Sequence, residues 1–255
     1  MTGRIVIRGL VKAFGSRHVL EGVDLRVAKG ESLVIIGGSG SGKSVMLKII
    51  LGLIRPDAGS ILLDGQELVG LKGRAQETAR AHFGMLFQGG ALFDSLPVWR
   101  NVTFALTHGK PGGGKVMHAL AVRVLAQVGL EARVADLKPA ELSGGMQKRV
   151  ALARAIAANP EILFFDEPTA GLDPIRAGTI NALIRERVAA LGATAITITH
   201  DMASARRIAD RVAMLHDGRI IWEGPVSAMD SSGNPFVDQF VHGRAEGPVG
   251  TAVTG

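Results

Sequence analysis

A glycine-rich segment between a buried strand and a helix constrains this chain more than any other feature. Residues 37–44 read Gly-Gly-Ser-Gly-Ser-Gly-Lys-Ser and match the pattern G-x-x-x-x-G-K-[ST]. The largely apolar run from Glu31 to Ile36 before them is typical of a buried strand. Apolar residues at helical spacing follow from Lys43 to Leu53, and we expect Arg55-Pro56-Asp57 to end that helix. A strand, a glycine loop and a helix in this order indicate a loop that binds phosphate.

The residue types of this loop suit the phosphates of a nucleotide. Glycines let the backbone approach phosphate oxygens closely, and the helix N-terminus supplies aligned N–H donors. Lys43 adds a cation for the β- and γ-phosphates, and the Ser44 hydroxyl is a ligand for Mg²⁺. A plain glycine linker is the alternative, and it does not account for the flanking strand and helix. The candidate binding residues are Gly37, Gly38, Ser39, Gly40, Ser41, Gly42, Lys43 and Ser44.

A pair of carboxylates follows a second buried strand. The apolar residues from Ile162 to Phe165 predict this strand, and Asp166 stands at its end, where it can hold Mg²⁺. Glu167 comes next, before Pro168, and its carboxylate can polarise a water for attack on the γ-phosphate. A capping turn is the alternative, but the phosphate loop upstream favours nucleotide hydrolysis.

A third segment reads Leu-Ser-Gly-Gly-Met-Gln-Lys-Arg at residues 142–149. Ser143 is predicted to cap a helix, and Gly144 and Gly145 leave backbone N–H groups available at its start. Taken alone, this segment is more typical of an ordinary capped helix than of a second anion-binding helix terminus.

The order and spacing of the three segments resemble the nucleotide-binding subunits of ABC transporters, and the likeness extends over about residues 4–225. In that family the Ser-Gly-Gly signature of one subunit contacts the γ-phosphate held by the phosphate loop of the other. The resemblance therefore implies ATP and Mg²⁺ as ligands, a second copy of the chain as a partner and transmembrane permease subunits as further partners. A single copy is expected to hydrolyse ATP poorly.

The same resemblance implies roles for four more residues. Phe14 stands where the family stacks an aromatic ring on adenine, although a lone phenylalanine is more often a core residue. Gln88 corresponds to the glutamine that senses Mg²⁺ and the attacking water and touches the transmembrane partner. Asp173 lies in the loop that crosses the dimer interface, and His200 corresponds to the histidine that contacts the γ-phosphate. Without the resemblance, His200 would be taken as a structural histidine.

The alternation of strands and helices predicts an α/β fold with a mostly parallel sheet. The resemblance specifies a P-loop NTPase with an N-terminal antiparallel β subdomain and an inserted helical subdomain. We expect residues 1–88 and 156–230 to form the ATP-binding core with the β subdomain, residues 89–155 the helical signature subdomain, and residues 231–255 a C-terminal tail. A flexible connection is predicted at residues 109–114, which read Gly-Lys-Pro-Gly-Gly-Gly.

Within the family, the run from Met85 to Val102 resembles the Mla-type phospholipid transport ATPases of Gram-negative bacteria. Residues 166–175 and 239–249 are similar to the same group, although Leu172 stands where some members have glutamine. This likeness implies a membrane-tethered lipid-binding protein and a small accessory cytoplasmic subunit as partners. Importers of the mammalian-cell-entry type, ABC ATPases for other solutes, and soluble ABC proteins that act on DNA or ribosomes remain alternatives; the soluble group usually fuses two cassettes or inserts coiled coils.

Composition fits a cytoplasmic protein, and the resemblance implies a peripheral position at the cytoplasmic face of the inner membrane. The 255 residues include no cysteine, which excludes disulfides and thiolate chemistry and fits the cytoplasm. The longest hydrophobic stretch without charge, Val188 to Thr199, has 12 residues and is too short to span a bilayer. The N-terminus has no apolar run typical of a signal peptide. The net charge of +6 is spread along the chain and by itself does not identify a partner. The transporter resemblance is the reason that no nucleic acid partner is expected.

Two apolar segments favour contacts with partners. Residues 89–104 carry more apolar side chains than a small solvated segment needs, and we expect some of them to line a groove for a permease helix, unless all pack inside the helical subdomain. The tail segment 236–241 is too short to stay helical alone, so it docks or remains disordered. Docking of Phe236 and Phe240 on the other subunit is the hypothesis for the tail.

Overall fold

The computed structural model describes residues 3–107, 109 and 113–249. Of these, the residues up to Gln76 and from Ile198 onward form one compact unit, and those from Glu77 to Thr197 form a second. Residues 110–112 of the predicted connection at 109–114 fall outside the described part of the chain. The boundaries predicted for the core, the helical subdomain and the tail stay a prediction.

An antiparallel sheet occupies the N-terminal part of the first unit. Its strands are β1 (Ile5–Phe14), β2 (Arg17–Val27), β4 (Ala58–Leu63) and β5 (Gln66–Glu67), in the order β2-β1-β4-β5. Strands β1 and β2 pair as a hairpin in which Phe14 faces Arg17 across the turn. This sheet is the predicted β subdomain, and its hairpin brings Phe14 and Arg17 to one end.

The first unit also contains a second group of strands, in the order β10-β9-β3. These are β3 (Ser32–Ile36), β9 (Arg211–His216) and β10 (Arg219–Pro225), and the helices α1 (Lys43–Ile50), α7 (Met202–Ile208) and α8 (Pro235–His242) belong to the same unit. Every residue of β3 is buried, as its apolar run predicts, and β3 pairs with β9 in parallel. A hairpin about Asp217-Gly218 joins β9 to β10, with both turn residues at positive φ.

Helix α1 ends earlier than the sequence pattern suggests. It stops at Ile50 rather than Leu53, and Gly52 follows at φ 66°. The amides of Gly52 and Leu53 donate to the carbonyls of Ile49 and Lys48 at 2.9 and 2.8 Å. This is a left-handed glycine cap, so the expectation that Arg55-Pro56-Asp57 ends the helix is wrong: the backbone has already turned at Gly52.

The second unit has three strands side by side in the order β8-β7-β6. They are β6 (Phe83–Leu86), β7 (Ile162–Asp166) and β8 (Thr194–Ile198), and the helices are α3 (Val98–Thr107), α4 (Gly114–Gln127), α5 (Gly144–Ile156) and α6 (Pro174–Leu191). Helix α2 (Gly73–Ala81) precedes β6 along the chain. Strands β6 and β7 are parallel, and the rings of Phe83 and Phe164 meet edge to face at 5.3 Å. Both strands therefore end at the same edge of the sheet.

The two apolar segments are partly buried within the chain. Val98 and Val102 of α3 are fully buried, whereas Phe93 is 42% exposed and lies against Phe104. In α8, Val237 and Val241 are buried and the Phe236 ring contacts the His216 ring. The tail segment thus docks on its own chain. No helix within residues 3–107, 109 and 113–249 has the length and apolar character needed to cross a membrane.

Candidate functional site

The phosphate loop has a conformation that two of its glycines make possible. Gly37 lies at φ 153° and Gly42 at φ 103°, in the region that L side chains rarely adopt. A Cβ on Gly37 would lie 2.2 Å from the carbonyl oxygen of Leu215, and one on Gly42 would lie 2.7 Å from that of Val19. The loop therefore packs directly against the backbone of β2 and β9, and a side chain at either glycine would displace it.

Lys43, the first residue of α1, lies across the loop. The residue is buried, and its Nζ donates to the carbonyls of Gly37 and Gly38 at 2.7 and 2.8 Å. The Ser41 hydroxyl lies 3.4 Å from the same ammonium. Gly42 precedes the helix without a capping side chain, so backbone N–H groups at the start of α1 have no side-chain acceptor there. An ammonium and a helix N-terminus together form a site for anionic oxygens.

A cavity of about 390 Å³ opens beside the loop. Its lining includes the loop from Gly40 to Ser44 together with Phe14, Arg17 and Val19. Phe14 is 50% exposed, which leaves a face of its ring available for stacking. The structure thus brings the predicted aromatic residue and the predicted phosphate loop into one cavity, while Ser39 is exposed on the loop.

Sequence reasoning did not identify two cations in this cavity region. Arg17 lines the cavity with the loop, and Lys12 places its ammonium 5.2 Å from the centroid of the Phe14 ring. Lys12 also donates to Asp57 at 2.8 Å, and this bond, with the amide of Ala13, holds the pKa of Asp57 below its usual value. Phe14 and Arg17 flank the two-residue turn Gly15-Ser16 and face each other across it. This short turn is the signal in the sequence that could have revealed Arg17.

His200 belongs to the first unit and is exposed. The amide of the preceding Thr199 donates to the carbonyl of Ile35 in β3 at 3.2 Å. On the other side, Asp201 caps α7 by accepting from the amide of Ala203 at 3.0 Å. These bonds place the backbone at His200 next to the strand that leads into the phosphate loop.

The second unit carries the two carboxylates at the end of β7. Asp166 is its last residue and is buried, and Glu167 follows at φ 46°. A residue with a side chain at positive φ is strained by about 1–2 kcal/mol, and such strain is concentrated at functional sites. The unusual backbone at Glu167 directs the chain away from the strand, and Pro168 is buried immediately after it.

Gln88 lies at the same edge of this unit. Leu86 of β6 pairs with Phe165 of β7, so Gln88 and Glu167 each stand two residues beyond a matched pair. The Gln88 side chain is exposed, and the backbone carbonyl of Gln88 accepts a hydrogen bond from Nζ of Lys148 in α5. Burial holds the pKa of Lys148 below its ordinary value, while the charges of Asp166 and Glu167 act in the opposite direction. Sequence reasoning did not single out Lys148.

The signature segment begins α5 as predicted. The Ser143 hydroxyl accepts from the amide of Met146 at 3.3 Å, so the predicted cap is confirmed. Gly144 has open space around it, and a Cβ on Gly145 would contact Arg176 at 3.8 Å. Ser143 and Gly144 are exposed, which leaves this helix start accessible.

Asp173 is the N-cap of α6, close in sequence to Arg176. Its Oδ1 accepts from the amides of Ile175 and Arg176 at 3.1 and 3.0 Å, and these bonds lower the pKa of Asp173. Since Arg176 also lies beside Gly145, the structure brings the Asp173 turn and the signature segment together on the second unit. Ile175, 83% exposed, stands next to them.

The candidate Mg²⁺ ligands are oxygen donors. Ser44 offers a hydroxyl, Gln88 an amide oxygen and Asp166 a carboxylate, and hard oxygen ligands are those that Mg²⁺ prefers. Among residues 3–107, 109 and 113–249, no group of three or more His, Cys, Asp or Glu side chains could hold a metal by itself. A hydroxyl, an amide oxygen and one carboxylate are a donor set that fits Mg²⁺, which is usually bound by one or two carboxylates together with substrate phosphates.

Comparison with known proteins identifies one family. The family described as ABC transporter matches residues 20–170. The intermembrane phospholipid transport system ATP-binding protein MlaF of Escherichia coli (strain K12) is 40% identical over 92% of this chain and 87% of its own length. The probable ribonucleotide transport ATP-binding protein mkl of Mycobacterium tuberculosis (strain ATCC 25618 / H37Rv) is 39% identical over 96% of this chain and 68% of its own length.

A solved structure agrees with the sequence comparison. The dimeric structure of a post-hydrolysis state of the ATP-binding cassette MJ0796, bound to ADP and Pi, matches with a TM-score of 0.78 and 33% identity. The match covers 87% of this chain and 98% of that one, which confirms the P-loop NTPase fold predicted from the sequence. Because the family match spans more than half of the residues, this chain belongs to the ABC transporter family, as an ATP-binding subunit that hydrolyses ATP.

Proposed function

We propose that this chain powers phospholipid transport, as a homodimer bound to permease subunits at the cytoplasmic face of the inner membrane. The observation that carries this proposal is the 40% identity with the phospholipid transport protein MlaF along 92% of the chain. The resemblance of residues 85–102 to Mla-type ATPases supports the same cargo. Ribonucleotide transport is the second candidate, because the name of the mycobacterial relative assigns that cargo.

The first unit supplies the nucleotide contacts in this proposal. Phe14 stacks on the adenine ring, since its half-exposed ring and the loop line one cavity. The backbone N–H groups of the loop and the Lys43 ammonium bind the β- and γ-phosphates, and His200 contacts the γ-phosphate. The bonds from Lys43 to the loop carbonyls support this role, because they already hold the cation at the loop.

The second unit supplies the groups that act on water. Glu167 is the general base that accepts a proton from the attacking water, and Gln88 orients that water. Ser44, Gln88 and Asp166 hold Mg²⁺, which when bound supplies positive charge to the phosphate oxygens. The oxygen donor chemistry of these three residues supports the assignment.

The homodimer completes each site in the proposal. Ser143, Gly144 and Gly145 of one copy contact the γ-phosphate bound to the other copy, and Asp173 lies at the boundary. The dimer in the solved cassette MJ0796 supports this assembly, as does the exposure of Ser143 and Gly144 at a helix N-terminus. A small accessory cytoplasmic subunit and a membrane-tethered lipid-binding protein complete the complex.

The test is ATP-dependent transfer of a labelled cargo by the membrane-extracted complex that contains the full chain. We expect fluorescent phospholipid to move between vesicles with ATP and Mg²⁺, and not with the Glu167→Gln variant. Radiolabelled ribonucleotide uptake into the same vesicles measures the second candidate. ATP-driven movement of the ribonucleotide without movement of phospholipid would overturn the proposed cargo and leave the ATPase assignment in place.

A further inference from the structure

The segment that carries Gln88 is not held by strand pairing. Strand β6 ends at Leu86, and the chain then turns with Gly90 at φ 72° and Ala91 at φ 47°. The amide of Gly90 donates to the carbonyl of Phe87 at 2.8 Å, which closes one turn. Beyond this turn, the carbonyls of residues 88–91 need donors from elsewhere in the second unit.

Two cations of α5 supply those donors. Lys148 donates from Nζ to the carbonyl of Gln88. Arg154 donates from its two terminal nitrogens to the carbonyls of Gly90 and Ala91 at 2.6 and 2.7 Å. The helix that is capped by the signature residue Ser143 thus holds three backbone carbonyls of the Gln88 segment and leaves the Gln88 side chain exposed.

The charge of Lys148 is also influenced by two carboxylates. Its side chain is buried, and the charges of Asp166 and Glu167 act on it from the end of β7. An ammonium has three donors and carries its charge at one point. Lys148 therefore binds the backbone carbonyl of Gln88 while its charge is influenced by the two carboxylates at the end of the neighbouring strand.

We propose that Lys148 is a positioning residue for ATP hydrolysis. It holds the backbone of Gln88 at a fixed position relative to Asp166 and Glu167. Arg154 supports this function by holding the carbonyls of Gly90 and Ala91. The inference rests on the proposed roles of Gln88 and Glu167. It predicts that the step affected is turnover rather than nucleotide binding, because the phosphate loop and Phe14 belong to the first unit.

The experiment compares three variants of the full-length chain. Lys148→Met keeps the length of the side chain and removes its donors and charge, whereas Lys148→Arg keeps both. Lys115→Met removes one charge from an exposed position of α4 and is the matched control. The measurements are kcat and KM for ATP, the Kd for ATP, the thermal midpoint, and hydrogen–deuterium exchange of the amides at residues 89–91.

We expect Lys148→Met to lower kcat about tenfold or more, because small displacements of groups that act on the attacking water have large effects on rate. The Kd for ATP should change less than about twofold, and exchange at residues 89–91 should become faster. Lys148→Arg should recover most of the rate, and Lys115→Met should match the parent. If Lys148→Met does not fold, Lys148→Leu, which also removes the donors and the charge, serves the same comparison.

An unchanged kcat with unchanged exchange at residues 89–91 would overturn the inference. So would a loss of kcat that comes with weaker ATP binding and a lower thermal midpoint, because that pattern indicates a purely structural lysine. Failure of the proposed function is distinguishable: in that case Glu167→Gln would hydrolyse ATP like the parent, whatever Lys148→Met does.

Discussion

The backbone of the phosphate loop offers a matched pair of substitutions at neighbouring glycines. Gly37→Ala introduces a Cβ at φ 153° and within 2.2 Å of the Leu215 carbonyl oxygen. Gly38→Ala makes the same chemical change one residue later, where nothing lies within 4 Å of the new Cβ and the backbone needs no positive φ. The two variants thus differ only in the space and the backbone conformation at the site.

The expected magnitudes follow from these contacts. A side chain in a region that favours glycine costs about 1–3 kcal/mol, and overpacking against a fixed backbone costs about 1–3 kcal/mol more. Gly37→Ala should therefore lower the free energy of unfolding by about 2–6 kcal/mol. Gly38→Ala should stay within about 1 kcal/mol of the parent, since alanine reduces the entropy of the unfolded chain without strain in the folded one.

Unfolding in urea, followed by circular dichroism, measures both variants against the parent. Equal free energies of unfolding for Gly37→Ala and Gly38→Ala would refute the reasoning, because the close approach of the loop to β9 would then have no energetic consequence. ATP binding gives a second readout. Gly37→Ala should also weaken it, since the carbonyl of Gly37 is one of the acceptors that hold Lys43.

Four further predictions concern the site and the tail. Glu167→Gln should still bind ATP and dimerise while turnover falls by about 10²-fold or more, and near-normal turnover in the assembled transporter would show that another group is the base. Lys43→Ala should instead raise the Kd for ATP, measured by equilibrium binding. Arg17→Ala should raise the Kd for ATP on the order of tenfold, since a hydrogen bond to a charged group is worth about 1.5–3 kcal/mol. The thermal midpoint should change little, because Arg17 is exposed. Phe236 and Phe240 stay only half-buried on their own chain and so leave surface for a second copy. Deletion of residues 236–255 should therefore loosen the dimer in light scattering and lower the ATPase rate, and an unaltered dimer would exclude a latch formed by the tail.

Much of the fold follows from patterns that extend over only a few residues. The apolar runs of β3 and β7 predicted buried strands because strands covered on both faces are apolar throughout. The helix α7 extends from Met202 to Ile208, and the neighbouring Asp201 caps it. The helix α2 was missed because it has no buried residue and so carries no apolar stripe.

The docked tail shows the limit of these patterns. Residues 236–241 alone left both docking and disorder open, and the choice depended on the surface available to the helix. Val237 and Val241 are buried in the first unit, while Phe236 and Phe240 stay half-buried. Intrinsic propensity cannot make this choice for an isolated eight-residue helix, because the stability of such a helix comes from packing.

The sequence by itself determined the chemistry of the site: a phosphate loop after a buried strand, two carboxylates at a strand end and a capped helix start. Each depends on backbone conformations and caps set by near neighbours along the chain. Only the tertiary structure decided that Arg17 lines the cavity with the loop and that Lys148 holds the backbone of Gln88. Lys148 and Gln88 are 60 residues apart, and no local spacing encodes that contact, because strand pairing and helix packing bring the two residues together.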